Sequence, residues 1–500
     1  MLSVTKEFYE ELNAKCEQRK REILEAEDAL EITGTTYYVS NDGDDASDGL
    51  APDRAWRTLA RVTEAELQPG DGVRFRRGDL FRGFVKAKAG VGYGAYGEGE
   101  KPKLYGWDRD LCDAALWECV DEEHHIWRWG EPILDPGTLV FNHGEAHCRK
   151  LIPSFIGGQF VCRNDESKLF RMEEEMTEDL DLYWYFTDIM TEKPSKGESF
   201  PIPDMTLQSL GTLYLRCDRG NPAEVFDSIE ALTRRSMIGV GSAENVRIDN
   251  LCIKYVGLHG IAAGGHVKGL HVTNCELGWI GGTIQHYYGT DPNYPQGGRG
   301  TVTRFGNAIE IYGGCEDYVV TDCYIYQVYD AGITHQVTTN GKRYVMEGIR
   351  YLRNLIEHCV YGIEYFLDMN KGDEESYMRD IRMNENIIRF SGYGWGQQRH
   401  NTDTPALIKG WSYVNRAEDY SIENNIFDRS AYRMLHLVAR DASSCPVMKG
   451  NTYIQYRGGM LGQYGANGEC EPEIMPYDDR TDGRVKRLMG DTEAKLYIIC

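Results

Sequence analysis

Three carboxylates are the residues of this 500-residue chain whose types and spacing could do chemistry: Glu310, Asp330 and Glu364. Glu310 sits in GNAIEIY (306–312) and Glu364 in YGIEYF (361–366), while Asp330 opens DAGITHQ (330–336) between them. Each segment alternates with the two-residue period of a strand. If Ile309, Ile333 and Ile363 point inward, then Glu310, Thr334 and Glu364 point outward along one face. Two carboxyl groups flanking a bond can give a proton to the leaving oxygen and either activate water or attack directly, which is how most glycosidic bonds are broken. Crowded carboxylates also raise one pKa and so supply an acid at neutral pH. Singly, each has an ordinary role too: a solvated charge for the glutamates, a turn residue bonding its own backbone for Asp330.

Other side chains fall around this set. His335 follows Thr334 and could donate to a hydroxyl or tune Asp330, and Asp368 could line the same face or cap a loop. Residues 282–305 and 391–404 are long insertions rich in Gly, aromatic and polar residues, entering the strands of Glu310 and Leu407. They are expected to overhang the carboxylates as walls of a cleft. They supply His286, Tyr287, Tyr288 and Trp395, whose rings can stack on sugar rings, and Gln398 and Arg399, which can donate to hydroxyls. His436 is expected farther along the face, at an outer subsite, with Leu407 and Leu435 inward and Ile408 and His436 outward. Glu310 and Glu364 are two rungs apart, roughly 9 to 10 Å between backbones at the usual strand spacing. Pairing Asp330 with either would be shorter, so the stereochemical outcome stays open.

The positioning scaffold is a degenerate repeat from about residue 246 to 461. Its copies are VRIDNLCI, HVTNCEL, VVTDCYI, RYLRNLI, RMNENII, SIENNIF and MKGNTYI. Taking Leu251, Cys275, Cys323, Asn354, Asn386, Asn425 and Asn451 as equivalent gives spacings of 24, 48, 31, 32, 39 and 26 residues, one supersecondary unit with insertions of varied length. Period-two alternation and β-branched and aromatic residues exclude a helical solenoid and predict a parallel β-solenoid. The Asn and Cys positions read as residues stacked at turns. No CxxC or His/Cys ligand cluster accompanies them, so no metal is assigned.

Five segments are predicted: an N-terminal helical extension (1–34), the start of the β-helix with its cap (35–110), a β-rich antiparallel insertion (111–235), the parallel β-helix with the catalytic face (236–470) and a C-terminal tail (471–500). A net charge of −23 disfavours nucleic acid, which calls for a basic stripe, and makes a strongly anionic polymer less comfortable unless a local basic patch holds it. No run of 18 apolar residues occurs, so no membrane span is expected, and the charged N-terminus has no signal-peptide core. With 14 cysteines and no export signal, free thiols and a cytoplasmic location are expected.

YYVSNDGDDASDGLAPDRAWRTLARV with LQPGDGVRFRRGDLFRG, followed by NxI-type coils and GIxI strands, resembles the right-handed parallel β-helix carbohydrate-active enzymes of the pectate-lyase-like superfamily. LYWYF and GTLYLRCDRGNP before the first coil resemble its glycoside hydrolase branch. The resemblance covers about residues 35–470 and implies an all-β, right-handed parallel β-helix with a glycan substrate; fold alone does not fix the reaction. The expected function is a glycoside hydrolase on oligosaccharides or glycosides, exo-acting because the two loops would block a long polymer. It needs no cofactor and is compatible with a homo-oligomer. The alternatives are a polysaccharide lyase on uronate-containing glycans, in which Lys409 or Arg399 would act with Ca²⁺, and a non-catalytic glycan-binding solenoid.

Overall fold

A computed structural model describes residues 2–156, 159–185, 200–201, 210–288, 301–369, 375–399, 405–466 and 473–500. The chain is a right-handed parallel β-helix. Successive strands such as Cys315–Thr321, Tyr324–Val328 and Ala331–Thr338 join three different sheets, and the next turn repeats the order with Val345–Leu352, Leu355–Glu357 and Tyr361–Asp368. The three sheets have 11, 10 and 10 strands, paired in parallel along their length apart from a short antiparallel strand, Met475–Pro476, at the end of the third.

The corner between the first two strands of each rung explains the repeat. Asn250, Asn274, Asp322, Arg353, Glu385 and Asn424 all have φ between 50° and 61° and turn the chain sharply. The residue after each points inward. From Asn354 onward these inward residues form a hydrogen-bonded ladder: the side-chain amide of each donates to the Oδ1 of the next, Asn354 to Asn386 (2.9 Å), Asn386 to Asn425 (3.0 Å) and Asn425 to Asn451 (3.0 Å), and Asn451 donates to Asp491 (3.1 Å). Each Oδ1 also accepts the backbone N–H of the preceding rung's ladder residue, so buried amides are satisfied where no sheet bond reaches them. Cys275 and Cys323 occupy the same position in earlier rungs as small buried thiols.

Between the sheets, aliphatic side chains stack rung on rung. Ile261, Ile309, Ile333, Ile363, Ile408 and Leu435 are in register and at most 1% exposed. Each stabilises the coil by about 1.5–3 kcal/mol through apolar burial. The helix Lys6–Leu24, capped by Thr5, lays Leu12, Cys16 and Ile23 along the outside of the first sheet, on Tyr324, Leu355, Ile387 and Ile454. Residues 471–500, expected to be a tail, include a further rung: Lys495–Ile499 pairs in parallel with Thr452–Tyr456, and Leu2–Ser3 adds to its outer edge. Within 111–235 a sheet that is antiparallel except for its edge strand Arg149–Leu151, packed around Trp117, Trp129, Leu182, Trp184, Leu213 and Leu215, builds a second core beside the coil.

Candidate active site

The third sheet carries the carboxylates. Its register runs Ala262, Glu310, Thr334, Glu364, Lys409, His436, Gln463, one residue per rung, so Glu310 and Glu364 share one face two rungs apart. Asp330 lies at the corner entering the intervening strand, and its carboxylate interacts with both glutamates. All three sequence-predicted carboxylates are therefore brought together, and all are nearly buried.

Their surroundings differ. Glu310 Oε2 accepts from Asn307 Nδ2 and from the Thr334 hydroxyl at 2.9 Å, while Oε1 has no hydrogen bond among the described residues. Among the described residues no cation pairs with Glu310. Burial pushes its carboxyl up to about 7; the two donors oppose the rise and the charge of Glu364 adds to it. Asp330 is paired through Oδ1 with the Arg399 guanidinium, leaving Oδ2 without a partner among the described residues. Burial also pushes Asp330 up to about 7, Arg399 and Lys409 pulling it down and Glu364 and Glu310 pushing it up. Glu364 is held at both oxygens, by Lys409 Nζ at 3.0 Å and Gln336 Nε2 at 2.6 Å. Lys409 Nζ lies 3.9 Å from the Tyr361 ring centroid, and Arg399 is clamped between the rings of Phe305 and Tyr361. Asn307 ties the centre together, since its Oδ1 accepts the backbone N–H of Ala331, next to Asp330.

This arrangement can hold one proton between two coupled acids. Of Glu310 and Asp330, only the latter has a direct cationic partner among the described residues, which favours its charged form.

Several expectations change. Ile408, expected outward, is in register with inward Ile363, and Lys409 takes the outward position beside Glu364. His335 points into the core: fully buried, it contacts the Tyr351 hydroxyl at 2.8 Å through Nδ1 and stacks on Tyr365, and burial holds it down to about 3. The alternation that turns Thr334 outward forces this, so His335 does not face a substrate. Trp395 is buried on Tyr329 with its indole N–H on the Gln327 carbonyl (2.8 Å), so it wedges the loop in place and offers no face to a sugar. Gln398 is used by the insertion: its Oε1 accepts from Lys150 N and its Nε2 donates to Cys148 O, at 3.0 and 2.8 Å. Asp368 lies four residues beyond Glu364, roughly 13 Å along the strand, away from the centre. Arg399 stands at the site, and His436 stands on its floor beside Lys409 with neither ring nitrogen hydrogen-bonded among the described residues. Burial, with Arg433 and Lys409 nearby, brings His436 down to about 3. His286, Tyr287 and Tyr288 belong to a strand, Thr283–Tyr288, paired with Thr301–Phe305; their side chains lie outside the described residues, as do the loop tips 289–300 and 400–404.

An aromatic ledge went unread in the sequence. Tyr312, Phe366 and Trp411 lie two residues beyond the carboxylate row; Phe366 is 6.3 Å from Tyr312 and 4.5 Å from Trp411 between ring centroids. The same alternation that turns Glu310 and Glu364 outward from the coil turns Tyr312 and Phe366 the same way, so the signal was present. A sugar stacked on this ledge would reach the carboxylates roughly 7 Å away.

The sequence matches no protein-family model and no curated protein. Solved structures resemble it at low similarity. A GH136 lacto-N-biosidase from Eubacterium ramulus is 14% identical with a TM-score of 0.37, over 99% of this chain and 70% of that one. A complex of XylC with xylose is 11% identical with a TM-score of 0.36, over 93% and 83% of the two chains. An alginate lyase from Paenibacillus sp. str. FPU-7 is 11% identical with a TM-score of 0.31, over 89% and 97%. All three are named for or hold a carbohydrate, and at this level of similarity no activity is read across from them to this chain.

Proposed function

We propose that this protein is a glycoside hydrolase acting on oligosaccharides or glycosides, with Glu310 as general acid and Asp330 as base or nucleophile. The observation that supports it is the pair of unlike carboxyls, each with one oxygen that has no partner among the described residues: Glu310 beside the neutral donors Asn307 and Thr334, Asp330 against a guanidinium. This division of environments is what an acid and its partner need in order to hold opposite protonation states at one pH. Glu364, held by Lys409 and Gln336, adds negative charge to the same face and favours a proton on both neighbouring carboxyls. Cleavage from a chain end is part of the proposal. Turnover of a panel of aryl glycosides and oligosaccharides by wild type and by E310Q, D330N and E364Q tests it. Loss of at least about 100-fold in E310Q and D330N is expected; full activity in all three refutes it.

Lys409 on the cleft floor favours a second reading, a lyase in which an amine removes the proton beside a uronate carboxylate. The calcium of that reading fits poorly, since Asp330 and Glu364 are already engaged by Arg399 and Lys409. Ultraviolet absorbance of an unsaturated uronate product separates the two reactions.

A further inference from the structure

Tyr329, the residue before Asp330, is fully buried and its hydroxyl has no hydrogen-bond partner among the described residues. Over its ring, at 4.8 Å, lies the Arg304 guanidinium. Arg304 is 3% exposed and anchored by Nε to the Gly282 carbonyl and by Nη2 to the Gly137 carbonyl (2.9 Å), but its buried Nη1 has no partner among the described residues. A second guanidinium, Arg163, follows the strand Gln159–Cys162 of a small hairpin that packs against the strand of Arg304. Arg163 makes no hydrogen bond or ion pair among the described residues, although it lies within electrostatic reach of the Arg304 guanidinium and the Tyr329 phenol. Like charges left together without a counter-ion disfavour one another, and buried donors without acceptors are costly.

The wider balance points the same way. Among the described residues around the cleft and its insertion wall, Lys150, Arg163, Arg234, Arg304, Arg399 and Lys409 stand with four carboxylates, Asp135, Glu310, Asp330 and Glu364. The Lys150–Asp135 pair and the Arg234 contact with the Ile284 carbonyl tie the outer part of this network to the coil. In a chain of net charge −23 this is a local excess of positive charge, placed where a sugar would lie.

We propose that Arg163, Arg304 Nη1 and the Tyr329 hydroxyl form a subsite for an anionic substituent of the sugar, a carboxylate or a sulfate ester, beside Asp330. Half-buried Arg163 is its mouth; the buried Arg304 nitrogen and Tyr329 hydroxyl are its floor. The inference rests on reading the cleft as a sugar site and deepens it: the substrate is an acidic glycan, recognised by three donors that are otherwise unpaired.

The test is binding, independent of turnover. D-glucuronate, D-glucose 6-sulfate and D-glucose are titrated calorimetrically into the full-length wild type, R163Q, and R379Q as a charge control on another sheet, where Arg379 pairs with Glu347. At least tenfold tighter binding of glucuronate or of glucose 6-sulfate than of glucose is expected, the tighter of the two naming the anion. R163Q is expected to collapse that ratio and R379Q to keep it. Equal binding of all three sugars by wild type, or a ratio retained in R163Q, overturns the subsite. Anion-selective binding with no hydrolysis of any aryl glycoside supports the subsite and refutes the hydrolase reading.

Discussion

Replacing Thr334 by Val tests the environment of Glu310 with the least change of shape. The Thr334 hydroxyl donates to Glu310 Oε2 at 2.9 Å and accepts the Ile311 backbone N–H at 3.1 Å. A hydrogen bond to a charged group contributes about 1.5–3 kcal/mol and one to the neutral acid less, so its loss penalises the carboxylate form by about 1–2 kcal/mol. At 1.36 kcal/mol per pH unit, the Glu310 pKa moves from about 7 to roughly 8. The alkaline limb of the pH–rate profile, where the acid loses its proton, is expected to move up by about one unit. Stability gives an independent reading. Because the folded-state pKa lies above the ordinary 4.5, the native state keeps a proton that the unfolded chain has released, so stability falls as pH rises from 4.5 to about 7, by on the order of 3 kcal/mol. T334V extends that fall by a further one or two kcal/mol at about pH 9, whereas the orphaned Ile311 amide costs the same at every pH. Urea unfolding at pH 4 and pH 9, together with the rate profile of the same variant, checks both. An alkaline limb that stays put or moves down, with equal destabilisation at the two pH values, would refute the assignment of Glu310 as the buried acid.

Three further predictions follow from the same geometry. K409M removes a cation whose charge lowers the Asp330 pKa, so the acidic limb of the rate profile, set by Asp330, should move up in the variant. N386A strips the ladder of an acceptor for Asn354 and a donor to Tyr351 O and Asn425, which should lower the unfolding free energy by about 3–5 kcal/mol in urea titration. His335 is held neutral with a depressed pKa of about 3, so its contribution is complete above pH 6.5 and is lost as pH falls from there toward 3; H335F should keep its catalytic pH profile and lose less thermal stability between pH 7 and pH 4 than wild type.

The rung pattern was legible because an inward ladder residue follows a sharply turned one in every copy, and no tertiary contact overrides that geometry. Glu310 and Glu364 were legible from the alternation that buries Ile309 and Ile363. The next rung was misread by one residue for a local reason. Ahead of the inward isoleucines, Gly332 and Gly362 also face the interior, against Ile325, Ile356 and Ile388, so two successive residues point inward at that corner. In the following rung Leu407 fills the glycine position, and PALIKG offers two apolar residues with no mark of which belongs to the strand. Ile408 was therefore assigned the wrong side. Trp395 and Gln398 were misjudged differently: composition placed them in a loop, but only the insertion packed against that loop decides that they brace it. Arg163 and Arg304 are distant from the carboxylates in sequence and carry no motif, so nothing short of coordinates could join them to Tyr329.

The N-terminal segment changes how the stack can come apart. A column of rungs held by neighbour contacts ordinarily frays from its ends. Here Leu2–Ser3 and Val4 grip the final rung at Tyr497 and Ile498, the helix crosses the outside of the first sheet, and Ala26, Asp28 and Ala29 fasten to Arg77, Asp249 and Asn250 in the opening rungs. One strap thus buckles the two extremities of the column to each other, so neither can peel without loosening the other, and melting is forced toward an all-or-none event in an architecture that would otherwise unzip.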